Sequence, residues 1–508
     1  MQTPAQRLNK NIFSSWSSTL ITAIIALFMS PFLVHTLGKE QYGIWALVLS
    51  IISYTSLFNA GMNQTISRYA PKYYATEDYY NLNEVINSIF LIFAISGILV
   101  IIASIIIAFF FMDLFNIENQ YLEISKYVLL IVGLNQAVVF FYIAPSACSP
   151  FHRFTIVNNI EIIKNILSAL LVIYFLKKGY GLYTLAIITL VMTITSLQLR
   201  TIIRNKIVPQ IRYSFKFITK QRIIEMLNYG GISFLIVATY LIIFNTDNIV
   251  IGIYQTTTAV TFYSIAGNLI GYIRVIANAI GVPLTPLISH MDSISNFEEI
   301  NKLYYNISKK LYYIYTALCV STFMFGEKFI FLWMGKDFDS TGKVLMILII
   351  PACLYLPQIP ANSVLLGIGK HKQLLYILAV EAISNIILSI ILVQKWGIYG
   401  VAWGTAIPQL VIYSFIYPWF FNKTISGNLK MFYVQLLKIS FYGVIFTLPI
   451  SFFLIMYNES LNWFGFSINV VLVLIFIILG FYLMVLNKDE KMKIMATIRK
   501  ILSIKPLN

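Results

Sequence analysis

Charge is scarce in this chain. Only 11% of its 508 residues are Asp, Glu, Lys or Arg, while 59% are hydrophobic. A water-soluble domain carries about a quarter charged residues. This composition cannot cover a soluble surface, so lipid must do much of the covering. Cysteine is nearly absent: Cys148, Cys319 and Cys353 are isolated and no pair has metal-site spacing, so neither a disulfide framework nor a thiolate metal site is expected. The four histidines, His35, His152, His290 and His371, fall near the ends of apolar runs and none pairs with Cys or a carboxylate at catalytic spacing. They read as interfacial side chains. No Gly-x-x-x-x-Gly-Lys-Ser/Thr loop occurs, so hydrolysis of ATP by that route is excluded. Long external loops are missing as well; the longest, about 327–342, holds no folded domain.

What the chain has instead is apolar runs. A helix needs about 20 apolar residues to span the hydrocarbon. Fourteen such spans are predicted at 11–36, 43–67, 84–112, 124–147, 154–176, 181–203, 229–253, 260–289, 308–332, 342–366, 373–393, 398–421, 434–457 and 464–487. They lack the alternation of an outer-membrane barrel, and helices satisfy every backbone group internally, as lipid demands. The fold class is therefore all-α and polytopic. The first span follows Arg7 and Lys10, as a signal peptide would. It is too long for one and has no convincing cleavage site, so it is read as a retained helix.

Charge asymmetry sets the orientation. The loops on the N-terminal side and both termini hold 26 of the 36 Lys and Arg, and the opposite loops hold 8. Positive loops stay cytoplasmic, so both termini are expected there. The densest run, Arg200, Arg204, Lys206, Arg212, Lys216, Lys220 and Arg222, joins spans six and seven. It reads as a topology determinant that also meets anionic lipid headgroups. The positive excess is spread along one membrane edge, which argues against a nucleic-acid partner.

The first twelve spans read as one six-span pattern written twice. Spans five and six carry Glu161-x-x-x-Asn165 and then Lys178-Gly179-Tyr180-Gly181; spans eleven and twelve carry Glu381-x-x-x-Asn385 and then Lys395-Trp396-Gly397-Ile398-Tyr399-Gly400. Helices broken by proline precede each, at Pro145 and at Pro357 and Pro360, and the connectors Asn81-Leu82-Asn83-Glu84 and Phe297-Glu298-Glu299-Ile300 correspond. An even span number relates the halves by a pseudo-twofold axis along the membrane normal. The expected organisation is an N-lobe at 1–203, a basic cytoplasmic linker at 204–228 that forms an amphipathic helix, a C-lobe at 229–421, and two further spans with a basic tail at 422–508.

Ionisable groups inside spans cost about 2.5–3.5 kcal/mol each on insertion scales and normally face a cavity or a partner. In span eight Gly267, Gly271, Arg274, Asn278, Gly281 and Thr285 share a face. Small residues beside a fork-shaped, permanently charged arginine suit a phosphate group. The same residues suit helix packing around an Arg–carboxylate pair, and both readings stay open. In span two, Ser56, Asn59, Asn63 and Ser67 form a polar face with Gln64 and Arg68 beside it, either a cavity wall or interhelical glue, with Arg68 as a substrate contact or a helix anchor. In span five Glu161 and Lys164 sit three apart and either neutralise each other or leave Lys164 to add positive field. Glu381, in span eleven, is a proton or cation site or the partner of Arg274. Asp247 lies towards the outer end of span seven as a helix cap, a gate contact or an ion-coupling group.

Several stretches together resemble a known family. Leu37-Gly38-Lys39-Glu40-Gln41-Tyr42-Gly43-Ile44-Trp45 running to Arg68-Tyr69 is similar to the start of bacterial polysaccharide flippases of the Wzx type. So are His152-Arg153-Phe154, Thr246-Asp247-Asn248-Ile249-Val250-Ile251-Gly252 with Phe262-Tyr263-Ser264-Ile265-Ala266, and Pro283-Leu284-Thr285-Pro286. These flippases belong to the multidrug/oligosaccharidyl-lipid/polysaccharide exporter superfamily. The resemblance implies two six-helix lobes around a central cavity lined by spans one, two, seven and eight. It implies a substrate of undecaprenyl pyrophosphate carrying an oligosaccharide, moved from the inner to the outer leaflet, and glycosyltransferases and a polysaccharide polymerase as partners. A fourteen-span count also resembles the peptidoglycan lipid II flippases. The chain is thus expected to be a transporter of the bacterial cytoplasmic membrane, without a cofactor and driven by a proton or sodium gradient or the membrane potential. A multidrug or organic-cation antiporter of the same superfamily is the alternative. An integral-membrane polymerase or acyltransferase would need a catalytic constellation that the short loops and peripheral histidines do not offer.

Overall fold

The computed structural model describes residues 4–59, 62–148, 151, 154–281, 283–294, 296–457 and 462–501, with side chains left undescribed at 4–13, 59, 62–65, 67–68, 227–230, 457 and 497–501. The described residues are helical almost throughout. In chain order the first helices are α1 (Pro4–Leu37), α2 (Lys39–Ser53), α3 (Met62–Ala75), α4 (Tyr79–Leu114), α5 (Leu122–Ile143), α6 (Phe154–Lys177) and α7 (Leu182–Ile207). Next come α8 (Lys220–Tyr254), α9 (Thr257–Gly281), α10 (Leu284–Ser293), α11 (Phe297–Met334), α12 (Asp339–Tyr355) and α13 (Ile359–Gly367). The chain closes with α14 (His371–Val411), α15 (Tyr417–Thr424), α16 (Leu429–Tyr457), α17 (Trp463–Gly480) and α18 (Lys488–Ile501).

Thirteen stretches of helix among the described residues are long and apolar enough to cross a membrane. One of them, His371–Thr424, is 54 residues long, more than twice the roughly 20 that the hydrocarbon needs. Gly397 breaks it with φ 55° and ψ −133°. Past that turn the chain doubles back: a Cβ on Gly400 would stand 2.1 Å from the Leu392 carbonyl oxygen, and one on Gly404 would stand 2.6 Å from the Ser389 backbone. α14 is thus a tight hairpin of two crossings, and the count returns to fourteen. The matching turn of the first half, at Gly179, is also left-handed, with φ 85°. The connectors correspond too. Asp78 caps α4 by accepting from the Asn81 amide at 3.1 Å, and Asn296 caps α11 by accepting from the Glu299 amide at 3.2 Å.

Three spans are interrupted, two that were expected as continuous helices and span ten at the prolines that were expected to break it. Span two runs through α2, a 3₁₀ segment at Tyr54–Asn59 and α3. Span eight ends as α9 at Gly281 and resumes at Leu284 as α10, with Pro283 at its start. Span ten gives way to a 3₁₀ turn at Leu356–Gln358 between α12 and α13, where Pro357 and Pro360 remove backbone donors. Buried Gln358 answers part of that loss, its Nε2 donating to the Leu354 carbonyl at 2.9 Å and the Tyr413 carbonyl at 2.8 Å. Broken helices at membrane depth persist only where protein or a water-lined cavity satisfies the freed groups.

By contacts the chain forms two compact units. Unit 1 comprises Met1–Ile265 with Leu378–Gly404, and unit 2 comprises Ala266–Ile377 with Thr405–Asn508. In unit 1 the first span is tied into the bundle: Asn158 of α6 donates to Ser14 at 3.2 Å and Ser15 at 3.1 Å, and Asn165 donates to Thr22 at 2.9 Å. The start of α9 sits against α2 so closely that a Cβ on Gly43 would be 1.8 Å from the Thr257 carbonyl oxygen. The linker differs from the expected amphipathic helix. α7 continues to Ile207, and residues 208–219 follow as a strap with a single 3₁₀ turn at Phe215–Phe217. Two asparagines of α4 hold it. Asn83 accepts from the Arg212 amide at 2.6 Å and donates to the Gln210 carbonyl at 3.1 Å, while Asn87 accepts from the Ser214 amide and donates to the Arg212 carbonyl. These side chains replace the helical hydrogen bonds that 208–219 forgoes. In unit 2, α11 is the longest unbroken helix, 38 residues or about 57 Å at 1.5 Å per residue, so it projects well beyond the hydrocarbon.

Candidate functional site

Arg274 stands on α9 and is partly exposed. One and two turns before it on the same face are Gly271 and Gly267, and Cβ atoms built on either would meet nothing within 4 Å. Asn278, one turn further, is exposed. The pair Gly267-x-x-x-Gly271 is therefore no helix-packing seam; its small residues border open space. Gly281, at the end of the same face, does pack: Ser363 of α13 donates to its carbonyl at 2.8 Å, and a Cβ there would meet Ile359 at 2.9 Å. The stripe thus splits into an open segment at Gly267 and Gly271 and a packed segment at the break before α10. Tyr315 of α11 donates to the Ile273 carbonyl at 3.4 Å.

Lys164 is engaged. Its ammonium contacts Glu161, which also receives the guanidinium of Arg200 from α7. Two cations around one carboxylate leave a net positive triad at the α6–α7 hairpin. Arg200, assigned by sequence to the basic edge, is the member that was missed. Folding the chain about Gly179 would have found it, because residues about twenty on either side of a hairpin turn come level.

Asp247 is not a helix cap. It lies within α8, buried, and accepts from Tyr263 of α9, with Ser389 Oγ of α14 at 3.5 Å. Next to it Asn248 donates to Ser50 of α2 at 2.9 Å, and Thr246 bonds Tyr54 at the break in span two. Glu381, Asn385 and Ser389 recur at steps of four on one face of α14, each at most 1% exposed. The Asn385 Oδ1 is buried without a hydrogen bond. Unit 1 therefore contains a buried polar seam with two carboxylates, Asp247 and Glu381, among amide and hydroxyl oxygens. Such a donor set suits a proton or a hard cation. Among the described residues no three His, Cys, Asp or Glu gather as a metal cluster.

Of the span-two candidates, Asn59 falls in the 3₁₀ segment and Asn63 and Arg68 in α3, with side chains outside the described residues. The polar face expected on one continuous helix is divided by the break. His152 and Arg153 also lie outside the described residues. The cysteines are free, although Cys319 and Cys353 come within hydrogen-bond reach across α11 and α12.

With this geometry in hand, comparison with known proteins decides the family. The profile described as polysaccharide biosynthesis protein matches residues 8–292, more than half of the chain. The chain belongs to the polysaccharide biosynthesis protein family. A second profile, MatE, matches residues 233–391. An uncharacterized membrane protein, MJ1068 of Methanocaldococcus jannaschii, is 24% identical over 462 residues, covering 86% of this chain and 88% of its own. Among solved structures, the lipid II flippase MurJ in an inward closed conformation superposes with TM-score 0.71 at 17% identity, over 92% of this chain and 98% of that one. An inward-facing multidrug resistance MATE family transporter of the MOP superfamily superposes with TM-score 0.68 at 15% identity, over 80% of this chain and 94% of that one. The protein is a multi-pass membrane protein of that family, and it shares the fold of MurJ and of the MATE transporters.

Proposed function

We propose that this family member is a flippase for undecaprenyl-pyrophosphate-linked oligosaccharide, carrying it from the inner to the outer leaflet for surface polysaccharide biosynthesis. The observation that carries the reading is Arg274 beside the open Gly267–Gly271 segment of α9. A pyrophosphate and a sugar chain cannot cross about 30 Å of hydrocarbon bare. A guanidinium replaces part of the phosphate hydration with bidentate hydrogen bonds. The two glycines leave room for the bulk attached to it, and the exposed amide of Asn278 offers a contact to sugar hydroxyls. The polyprenyl tail stays in lipid throughout. Asp247 and Glu381 are the ion-coupling groups of this reading, titrated by protons or occupied by sodium as the transporter alternates between faces. Both termini lie in the cytoplasm, and glycosyltransferases and a polymerase work on either side of the step.

The test is a reconstituted one. Proteoliposomes loaded with lipid-linked oligosaccharide are expected to move it between leaflets. Arg274→Ala is expected to slow movement at least about tenfold, the effect of losing one charge-assisted contact of about 1.5–3 kcal/mol. One specific observation favours a second reading, an organic-cation antiporter: the MatE match covers residues 233–391, which hold both buried carboxylates. Purified protein that expels an organic cation and leaves the lipid-linked sugar in place overturns the flippase reading in favour of that one.

A further inference from the structure

Unit 2 carries a cationic cluster that translocation does not use. Lys310 of α11 pairs with Glu490 of α18. Lys309 lies within electrostatic reach of Lys310, Lys438, Lys491 and that same Glu490. Four ammonium groups thus gather in one cluster with Glu490, and that carboxylate is heavily committed. Its second oxygen accepts from the Asn487 amide at 3.0 Å and closes the first turn of α18. Lys310 and that amide hold the Glu490 carboxyl below the ordinary glutamate range. Lys491 is also occupied, donating to the Leu483 carbonyl at 3.0 Å. Among the described residues neither Lys309 nor Lys438 closes an ion pair.

Next to Lys309 a narrow crevice opens between α11 and α16, lined by Tyr305, Ser308, Tyr312, Phe432 and Gln435, with room at its floor for about one water molecule. The Ser308 and Tyr312 hydroxyls there are buried, and although Tyr304 and Gln358 approach them, neither completes a hydrogen bond of normal geometry. The mouth of the crevice is therefore cationic and its floor offers hydroxyl groups.

Depth identifies the occupant. The last span ends at Val485 and α18 begins at Lys488, so the cluster lies at headgroup level. Past Lys438, towards the membrane interior, Phe441 and Ile445 of α16 expose apolar surface at steps of four, with Leu437 alongside. An ion without acyl chains has no use for that flank. We propose that Lys309, Lys438 and the adjoining crevice form a binding site for an anionic phospholipid, its phosphate on the two ammonium groups and its acyl chains along α16. Basic recesses between membrane helices are where such headgroups settle. The bound lipid neutralises the cluster and joins α11, α16 and α18.

The experiment uses the full-length protein in neutral detergent, with native mass spectrometry and thermal unfolding as readouts. Phosphatidylglycerol is expected to remain bound and to raise the unfolding temperature; phosphatidylcholine and inorganic phosphate are not. The double variant Lys309→Gln/Lys438→Gln is expected to bind phosphatidylglycerol about 30-fold more weakly, from about fivefold per lysine near a charged surface. The charge-keeping pair Lys309→Arg/Lys438→Arg restores binding, which separates the site from a folding defect. Equal weakening by Lys177→Gln/Lys178→Gln, at the Gly179 turn and outside the basic linker, overturns the proposal, because net charge alone then attracts the lipid. Equal stabilisation by inorganic phosphate overturns the lipid assignment.

Discussion

The Glu161 triad separates a structural lysine from a substrate-binding one. Glu161, Lys164 and Arg200 have side chains 33%, 22% and 16% exposed, so solvent screens the charges only in part. A hydrogen bond to a charged group contributes about 1.5–3 kcal/mol when dry, and partial exposure trims that figure. Glu161→Gln removes the charge from both contacts and leaves two cations facing each other, so a loss of about 2–3 kcal/mol is expected. Lys164→Gln leaves the Arg200–Glu161 pair standing and is expected to cost about 1 kcal/mol. The double variant should fall short of the sum by about 1 kcal/mol, the coupling expected of side chains in one network. Unfolding by SDS in mixed micelles measures all three. Export activity, normalised to folded protein, should be unchanged in Lys164→Gln. Additive losses with no coupling would refute the ion triad. Wild-type stability with lost export in Lys164→Gln would place the lysine on the substrate instead.

Two further predictions rest on close approaches. Gly43→Val places side-chain carbon against the Thr257 carbonyl, 1.8 Å from the Cβ position; backbone cannot yield as a flexible side chain does, so folded protein in the membrane should fall below one tenth of wild type by fluorescence size-exclusion chromatography. Asn83→Ala frees the Arg212 amide and the Gln210 carbonyl, about 1–2 kcal/mol of local stability, and should open 208–219 to limited proteolysis while the remaining helices resist; a strap as protected as wild type would show that Asn83 does not hold it.

Much of the fold was legible because lipid imposes one rule, continuous apolar helices, and a run of about 20 residues states it openly. The hairpin turns were legible for a related reason: Gly179 and Gly397 stand where apolar runs pause, and only glycine enters their left-handed conformation without strain. Span interruptions were less visible. Pro357 and Pro360 announce the one in span ten, but the 3₁₀ segment at Tyr54–Asn59 contains no proline, and the pattern of Ser56, Asn59 and Asn63 reads as a regular helix face. The linker looked amphipathic because Phe215, Phe217, Ile218, Ile223, Ile224 and Leu227 stand among basic residues; what holds 208–219 out of a helix is the pair Asn83 and Asn87, more than a hundred residues away. Long-range partners of this kind have no period along the chain. The Arg200 contact was within reach from hairpin geometry, whereas the meeting of Asp247 with Tyr263 and Ser389 required the packed structure.

The open face of α9 carries the functional account, and water contact there tests it most directly. In a background with Cys148, Cys319 and Cys353 replaced by serine or alanine, Gly271→Cys places a thiol one turn from Arg274, where nothing lies within 4 Å of the new Cβ. The account predicts labelling by a membrane-impermeant maleimide and protection when lipid-linked oligosaccharide is added. Labelling by lipid-soluble reagents alone, unaffected by that substrate, would contradict it.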